Sequence, residues 1–489
     1  MVLDNSVLNV AIPTIRRDFH TTLPSLEWVI TGYALTFATL LIIGGRLGDI
    51  FGHRRVFIGG AFLFGTGSLL AAVSQNVPML ILGEAIIEGM GASMMMPSTL
   101  AILSNTFTGP ERATAFAAWG ATAGAAAAFG PVVGGFLTTN YSWRWAFGIN
   151  VIVAPLAIVG AVAFMPRGLR AEGRIRIDVP GALLVASGMF LLVFGITEGG
   201  TYGWWQPLRD FSLRGHRVWA ATSPISVTPI VFAVSVAILF AFYRLERAKE
   251  RAEQSPLFEF GQLRHKGFRY GLLTTVILAM GQLGLIFVLP IFLQNAKHIS
   301  AQRNGMWMFP VGVFVIVGAQ VGGRLTRRIG VTSVLRLGLV SEAVGLVLVA
   351  LVIRPSVTFP DVLAGFFLFG VGIGFASSQL TNVVLSDIDP GKSGVASGAN
   401  ATLRQVGSGL GVAIIGSILT AQTVRHGGLP VRALAHGTRA ALFVAASFVV
   451  VGAVVSFLIP RVDPPGPGQP AAVPSGADVV EVFEVFGPG

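Results

Sequence analysis

Cysteine is absent from this 489-residue chain, charged side chains make up only 12% of it, and acidic residues number 23. Without cysteine there is no disulfide, no thiolate nucleophile and no cysteine-ligated zinc or iron–sulfur centre. The sequence also lacks a Walker-type phosphate cradle, a metal-ligand cluster and a nucleophilic triad. Nothing in it carries ATP-driven or enzymatic chemistry, so no metal or cofactor is expected. Ordinary soluble domains hold roughly 25% charged residues. A chain that is 53% hydrophobic has more apolar surface than a water-bounded core absorbs, so its solvent is expected to be lipid.

What is present is a succession of apolar runs, each suited to crossing about 30 Å of hydrocarbon as a helix. Fourteen spans are expected, at 1–14, 25–44, 56–74, 78–103, 111–138, 143–165, 179–198, 225–243, 269–293, 302–323, 334–353, 360–385, 394–421 and 438–460. That defines an all-α membrane protein. The net charge of +11 comes from short basic runs between the spans rather than a continuous basic face, which argues against a nucleic-acid partner. Over alternating loops, about 21 Lys and Arg fall on the side of the termini and about 12 on the other, with Arg404 inside a span. Positive-inside topology then puts both termini in the cytoplasm. Only three residues precede Asp4, and the first span is shorter than the roughly 20 residues needed, so it reads as truncated, with a start codon expected upstream. Residues 461–489 are too rich in Pro and Gly to pack and read as a disordered cytoplasmic tail.

An internal repeat emerges when GRLGDIFGHRR, after the second span, is set beside GRLTRRIG, after the tenth. Gly45, Arg46, Leu47 and Gly52 match Gly323, Arg324, Leu325 and Gly330. The repeat implies two six-helix halves, 1–165 and 269–460, with the seventh and eighth spans inserted between them in 166–268. In its first copy, glycines permit a tight turn and close helix approach. Asp49 can face the positive N-terminal end of another helix, worth roughly 0.3 to 2 kcal/mol.

Charges inside the spans are few. Asp4 lies about nine residues, roughly 14 Å, below the outer end of its helix. Charging it there costs about 2.5 kcal/mol or more, which invites protonation. Glu84 and Glu88 are spaced i,i+4 in the fourth span and project from one helix face, so mutual repulsion favours a proton on one of them. Glu88 is as deep as Asp4, while Glu84 either shares that site or reaches toward the outer interface. Arg404 in the thirteenth span needs an anion, with Asp4, Glu88 or cargo as candidates, or else it extends to the cytoplasmic face. Glu27, Glu198, Glu342 and Asp361 read as interfacial, and His53 as solvated in its basic loop.

Several of these segments carry a family resemblance. GRLGDIFGHRR, with Gly45, Arg46, Gly48, Asp49, Gly52, Arg54 and Arg55, resembles the loop between helices 2 and 3 of the major facilitator superfamily. LDNSVLNVAIP, with Asp4, Asn9 and Pro13, resembles the first-helix signature of its fourteen-helix drug:proton antiporter family. GATAGAAAAFGPVVGG, with Gly120, Gly124, Gly130, Pro131, Gly134 and Gly135, resembles the glycine-rich helix of the antiporter branch. SWRWAFGIN resembles the start of the sixth helix, with Trp143 and Trp145 suited to an interfacial belt and Arg144 to the headgroup zone. GVASGANATLRQVGSGLGVAI resembles the thirteenth helix. One departure stands out: where the family carries an arginine in helix 4, this chain has Ala85.

The resemblance implies the major facilitator fold, two pseudo-symmetric six-helix bundles plus two inserted helices, rocking about a central cavity. It implies that Asp49 docks near Ser393 and Gly394; with the helix-4 arginine missing, which departs from the family's proton relay, the acids Asp4, Glu88 and Glu84 are the expected proton carriers and Arg404 their charge partner. The expected activity is proton-driven export of small lipophilic, especially cationic, compounds by a monomer in the plasma membrane, with protons, cargo and the bilayer as partners. Two other readings stay open at this point: an uptake symporter or lipid-like metabolite transporter of the same fold, and a non-transporting receptor that signals through the C-terminal tail.

Overall fold

The computed structural model describes residues 7, 8, 11, 14–21, 23–107, 109–165, 178–213, 216–252, 254, 256–299, 301–386, 388–389, 392–425 and 430–461. Asp4, Asn9, Pro13, the loop residues 166–177 and the tail from 462 onward lie outside this set. Helical residues 7, 8, 11 and 14–18 make up α1. They are followed by α2 Leu23–Phe51, α3 His53–Ala72, α4 Val77–Thr106, α5 Gly109–Asn140, α6 Arg144–Phe164, α7 Val179–Tyr202 and α8 Val227–Arg251. The second part comprises α9 Lys266–Ala296, α10 Ala301–Ile329, α11 Val331–Val352, α12 Phe359–Ser386, α13 Ser393–Arg425 and α14 Pro430–Ser456. Among the described residues, twelve helices are long and apolar enough to cross a membrane, α1 and α5 being outside that group. Leu156 and Val159 on α6 and Val236 and Phe240 on α8 point outward, an arrangement suited to lipid rather than water.

Apolar runs mark where the helices lie, but hydrogen bonding and glycine decide where they stop. α2 continues through Gly45 and Asp49 to Phe51, so most of the basic motif is helix rather than loop. The turn falls on Gly52 (φ 90°), and the repeat's second copy turns on the matching Gly330 (φ 82°). Both φ values lie in the left-handed region that costs other residues roughly 1–2 kcal/mol. Gly52 caps α3 and Gly330 caps α11.

The recurrence extends to arginine. Near the start of α3, Arg54 donates to Ala161 O and Val162 O at the end of α6, at 3.1 and 2.7 Å. Near the start of α11, Arg336 donates to Ser456 O and Ile459 O at the end of α14, at 3.2 and 3.3 Å. At the other end of the bundle, Arg144 of α6 donates to Ser74 O just past α3 (3.1 Å). There Arg439 of α14 donates to Ala350 O and Leu351 O of α11 (3.1 and 2.9 Å). Carbonyls at helix C-termini lack intrahelical partners and carry the negative end of the dipole, so a guanidinium is a fitting cap.

Two features depart from the regular all-α expectation. α4 winds as a π-helix over Ile81–Glu88, a form found mostly as short bulges at functional positions. Between α7 and α8, β1 Phe211–Leu213 and β2 His216–Trp219 form an antiparallel hairpin. Its Phe211 packs on Phe194 and Tyr202 of α7.

α7 and α8 pack on each other, with Ser235 Oγ donating to Gly188 O at 2.8 Å. Asp178 caps α7 by accepting from Gly181 N (2.9 Å) and lies 2.5 Å from Lys249 Nζ of α8. Burial works against its charge, but the hydrogen bonds from Lys249, Glu246 and Gly181 outweigh it and hold its pKa below the usual carboxylate value. Glu246 and Glu250 accept from Phe258 N and Gly261 N, pinning the following loop. Glu259 of that loop meets Lys392, the residue before α13, at 2.7 Å. On their inner side, Val193, Phe194 and Ile196 of α7 pack against Leu35 and Ala38 of α2 and Val406 of α13.

Candidate functional site

The repeat's first copy docks on the start of α13. Buried Asp49 accepts from Gly394 N (2.9 Å) with one oxygen and Val395 N (3.0 Å) with the other. These amides lack intrahelical partners, so a carboxylate there completes the first turn of α13. Gly45 allows the approach, since a Cβ on it would collide with the Gly394 carbonyl. Beside them Asn105 Nδ2 donates to Ser393 Oγ at 3.0 Å. His53 is not solvated as expected. The Gly52 turn folds α3 back so that His53 Nε2 lies 3.3 Å from Asp49 Oδ1, with its ring against Gly48. Arg46 is half-buried and Arg55 exposed, while Arg54 is committed to the α6 carbonyls.

Glu84 and Glu88 sit in the π-helical turn, and both are fully buried, so Glu84 does not reach an interface. Glu88 accepts from Ser68 Oγ of α3 and from Asn150 Nδ2 of α6, the latter at 3.2 Å. Gly67 makes room, because a Cβ on it would press on the Glu88 backbone. Glu88 therefore points into the packing of α3, α4 and α6.

Arg404 finds its anion elsewhere. Its guanidinium is partly accessible, lies 3.5 Å from Thr381 Oγ1 and interacts electrostatically with Glu342. Glu342 is not interfacial: it lies halfway along α11, fully buried, and accepts from Gln282 Nε2 at 3.2 Å. Gln282 also donates to Ser377 Oγ at 3.0 Å, so α9, α11, α12 and α13 all contribute to one polar cluster. Sequence reasoning missed it, although Glu342 falls well inside the expected 334–353 span. Asp361 accepts from Thr358 N (2.8 Å) in the first turn of α12.

On α5, Gly124 permits contact with Val315 of α10, Gly120 faces Ser378 of α12, and Gly134 rests on Val7 of α1. Gly130 is buried, whereas the surroundings of Pro131 and Gly135, and the side chain of Glu27, fall outside the described set. Trp143 is a buried anchor rather than a belt residue. Its indole N–H donates to Asp18 at 2.8 Å, and its ring meets Phe19 and Phe147 edge-on. Arg144 pairs with the same carboxylate at 3.0 Å, and these two donors hold Asp18 below the ordinary pKa of 3.8. Trp145 is exposed.

Long apolar helices, close backbone docking of α2 on α13 and acids buried in the bundle define a multi-pass membrane protein. The family model of the Major Facilitator Superfamily matches residues 1–196 and 215–412. The chain belongs to that superfamily and is a membrane transporter rather than an enzyme. It is 33% identical to a probable actinorhodin transporter of Streptomyces coelicolor over 85% of this chain and 70% of that one. It is 31% identical to a puromycin resistance protein of Streptomyces alboniger over 94% of this chain and 88% of that one. The crystal structure of the human organic anion transporter MFSD10 shares the fold, with a TM-score of 0.60 at 14% identity, covering 93% of this chain and 96% of that one.

Proposed function

We propose that this chain exports small lipophilic compounds, of the kind handled by its antibiotic-transporting relatives, in exchange for protons. The observation that carries the reading is Glu88, an acid enclosed in the fourth helix and met by the neutral donors Ser68 and Asn150. An acid so placed can exchange a proton when the bundle moves, at a driving force of about 2.3 kcal/mol per charge per 100 mV. Fourteen spans divide as 1–165, an inserted 166–268 and 269–460, with residues 461–489 as a tail. Both termini lie in the cytoplasm of a bacterial cell and the chain works as a monomer. The Asp49 contact is then a cytoplasmic latch that holds α2 on α13 while the opposite side is open. Asp4 is the second candidate proton carrier, Glu84 assists Glu88, and Arg404 supplies the cavity's positive charge in the other half.

The test is a reconstituted, purified preparation carrying a lipophilic dye, with an imposed pH gradient. Wild type is expected to move dye faster with the gradient than without it. Glu88→Gln, which keeps the shape but exchanges one acceptor oxygen for an amide donor that cannot release a proton, should cut that gradient-dependent flux at least tenfold. Undiminished flux in Glu88→Gln removes the proposed carrier, and flux indifferent to the gradient removes proton coupling.

A further inference from the structure

A cleft of about 670 Å³ opens beside the inserted pair, between α2, α7, α9 and α13. Gln405, Ser408, Gly409, Gly416 and Ser417 lie along its α13 side. Their spacing places them on one helix face over roughly 18 Å. Thr197, Gly200 and Trp204 form the facing wall, and Ala34 and Leu283 close the sides. Toward the Asp49 end, the packing of Val193, Phe194 and Ile196 on Leu35, Ala38 and Val406 fills the seam between α2 and α13. The cleft is therefore a pocket whose outer wall exists only because α7 is inserted there. Its volume falls in the range of about 300–1,000 Å³ typical of drug-sized ligand sites.

The lining chemistry narrows the occupant. Among the described residues no ionisable side chain lines the cleft, so a cation seated there would leave water without a counter-charge from them. An acyl chain would cover Thr197, Gln405, Ser408 and Ser417 without answering their polarity. Thr197 and Ser417 donate their hydroxyl hydrogens to Val193 O (2.7 Å) and Ala413 O (2.8 Å), so what they offer a ligand is acceptor oxygen. The small residues of α13 give a flat side, and Trp204 gives an aromatic one.

We propose that this cleft is a binding site for an uncharged, rigid ring system carrying hydroxyl groups, seated between α13 and the inserted α7. Binding is independent of the exporter reading, and only the direction of movement rests on it. A Cβ on Gly200 would meet nothing within 4 Å, so Gly200→Phe fills the pocket without a backbone clash.

The test uses the purified full-length chain in nanodiscs with radiolabelled estradiol, a neutral diol of fused rings, and ethidium as a permanently charged comparison. Wild type is expected to bind estradiol saturably. Gly200→Phe should weaken that binding at least tenfold and Gln405→Leu about threefold, with ethidium binding and thermal midpoint unchanged. Absence of saturable estradiol binding to wild type overturns the proposal, and so does equal binding to Gly200→Phe. Retention by wild type of a phospholipid that estradiol fails to displace, seen by native mass spectrometry, overturns it in favour of a lipid site. Estradiol binding in nanodiscs, when the same protein reconstituted in sealed vesicles shows no gradient-driven flux, counts against export and leaves the pocket assignment standing.

Discussion

The first and second parts of the chain share a frame and differ in the chemistry it surrounds. Gly52 and Gly330 make the same turn, and Arg54 and Arg336 cap the same helix pair, α3 with α6 and α11 with α14. Within this frame Glu88 lies on α4 and meets Ser68 and Asn150, whereas Glu342 lies on α11 and shares its cluster with the cation of Arg404. Neutralising an acid beside a guanidinium leaves that cation in a low-dielectric interior. The proposed mechanism assigns proton exchange to the first part, while the acid of the second shares its cluster with a guanidinium.

The sharpest way to break that assignment is to neutralise each acid alike. Glu342→Gln should destabilise the protein by about 1–3 kcal/mol, below the roughly 3–5 kcal/mol of a fully enclosed pair because Arg404 is partly accessible. Glu88→Gln should leave the thermal midpoint nearly unchanged. In a double-mutant cycle, adding Arg404→Gln to Glu342→Gln should recover part of the loss, with a coupling of about 0.5–3 kcal/mol. Equal midpoints for the two single variants would dissolve the contrast. A comparable effect tests the shared frame: Arg54→Ala and Arg336→Ala each remove two charge-assisted bonds to main-chain carbonyls, at about 1–3 kcal/mol per variant. Losses that differ severalfold would show that the clamps are not equivalent.

The smallest expected effect concerns acidity. Arg144 holds Asp18 as well as a carbonyl, so only this clamp gains a titrating partner of lowered pKa. Stability contributed by Asp18 is fully present above its ordinary value of 3.8 and is lost as pH falls through the lowered folded value. The midpoints of wild type and Asp18→Asn should therefore converge on acidification below about pH 3.8. A gap that persists there points to packing rather than charge.

Much of this was legible from residue type and spacing. Glycine at 45, 52 and 330 announces close approach and left-handed turns, because a side chain would collide at the first and strain the backbone at the other two, and Asp49 with its α13 partner followed from the family pattern. The partner of Arg404 was not legible. Helix rotation, invisible in a run of apolar letters, decides whether Glu342 faces lipid headgroups or the interior. The π-helical turn was hidden for a related reason: ILGEAIIE has nothing to distinguish it from an ordinary apolar turn. His53 and Trp143 were misjudged because residue chemistry alone favoured water and interface, whereas Asp49 and Asp18 supply buried partners that only the folded chain brings near.

The arginine clamps also bear on how such a protein can change over time. Each grips main-chain oxygens, which every amino acid supplies, so α6 and α14 are free to vary their outward side chains without loosening their hold on α3 and α11. The surface turned to the bilayer can thus adapt to lipids of different thickness or composition while the moving parts keep their alignment.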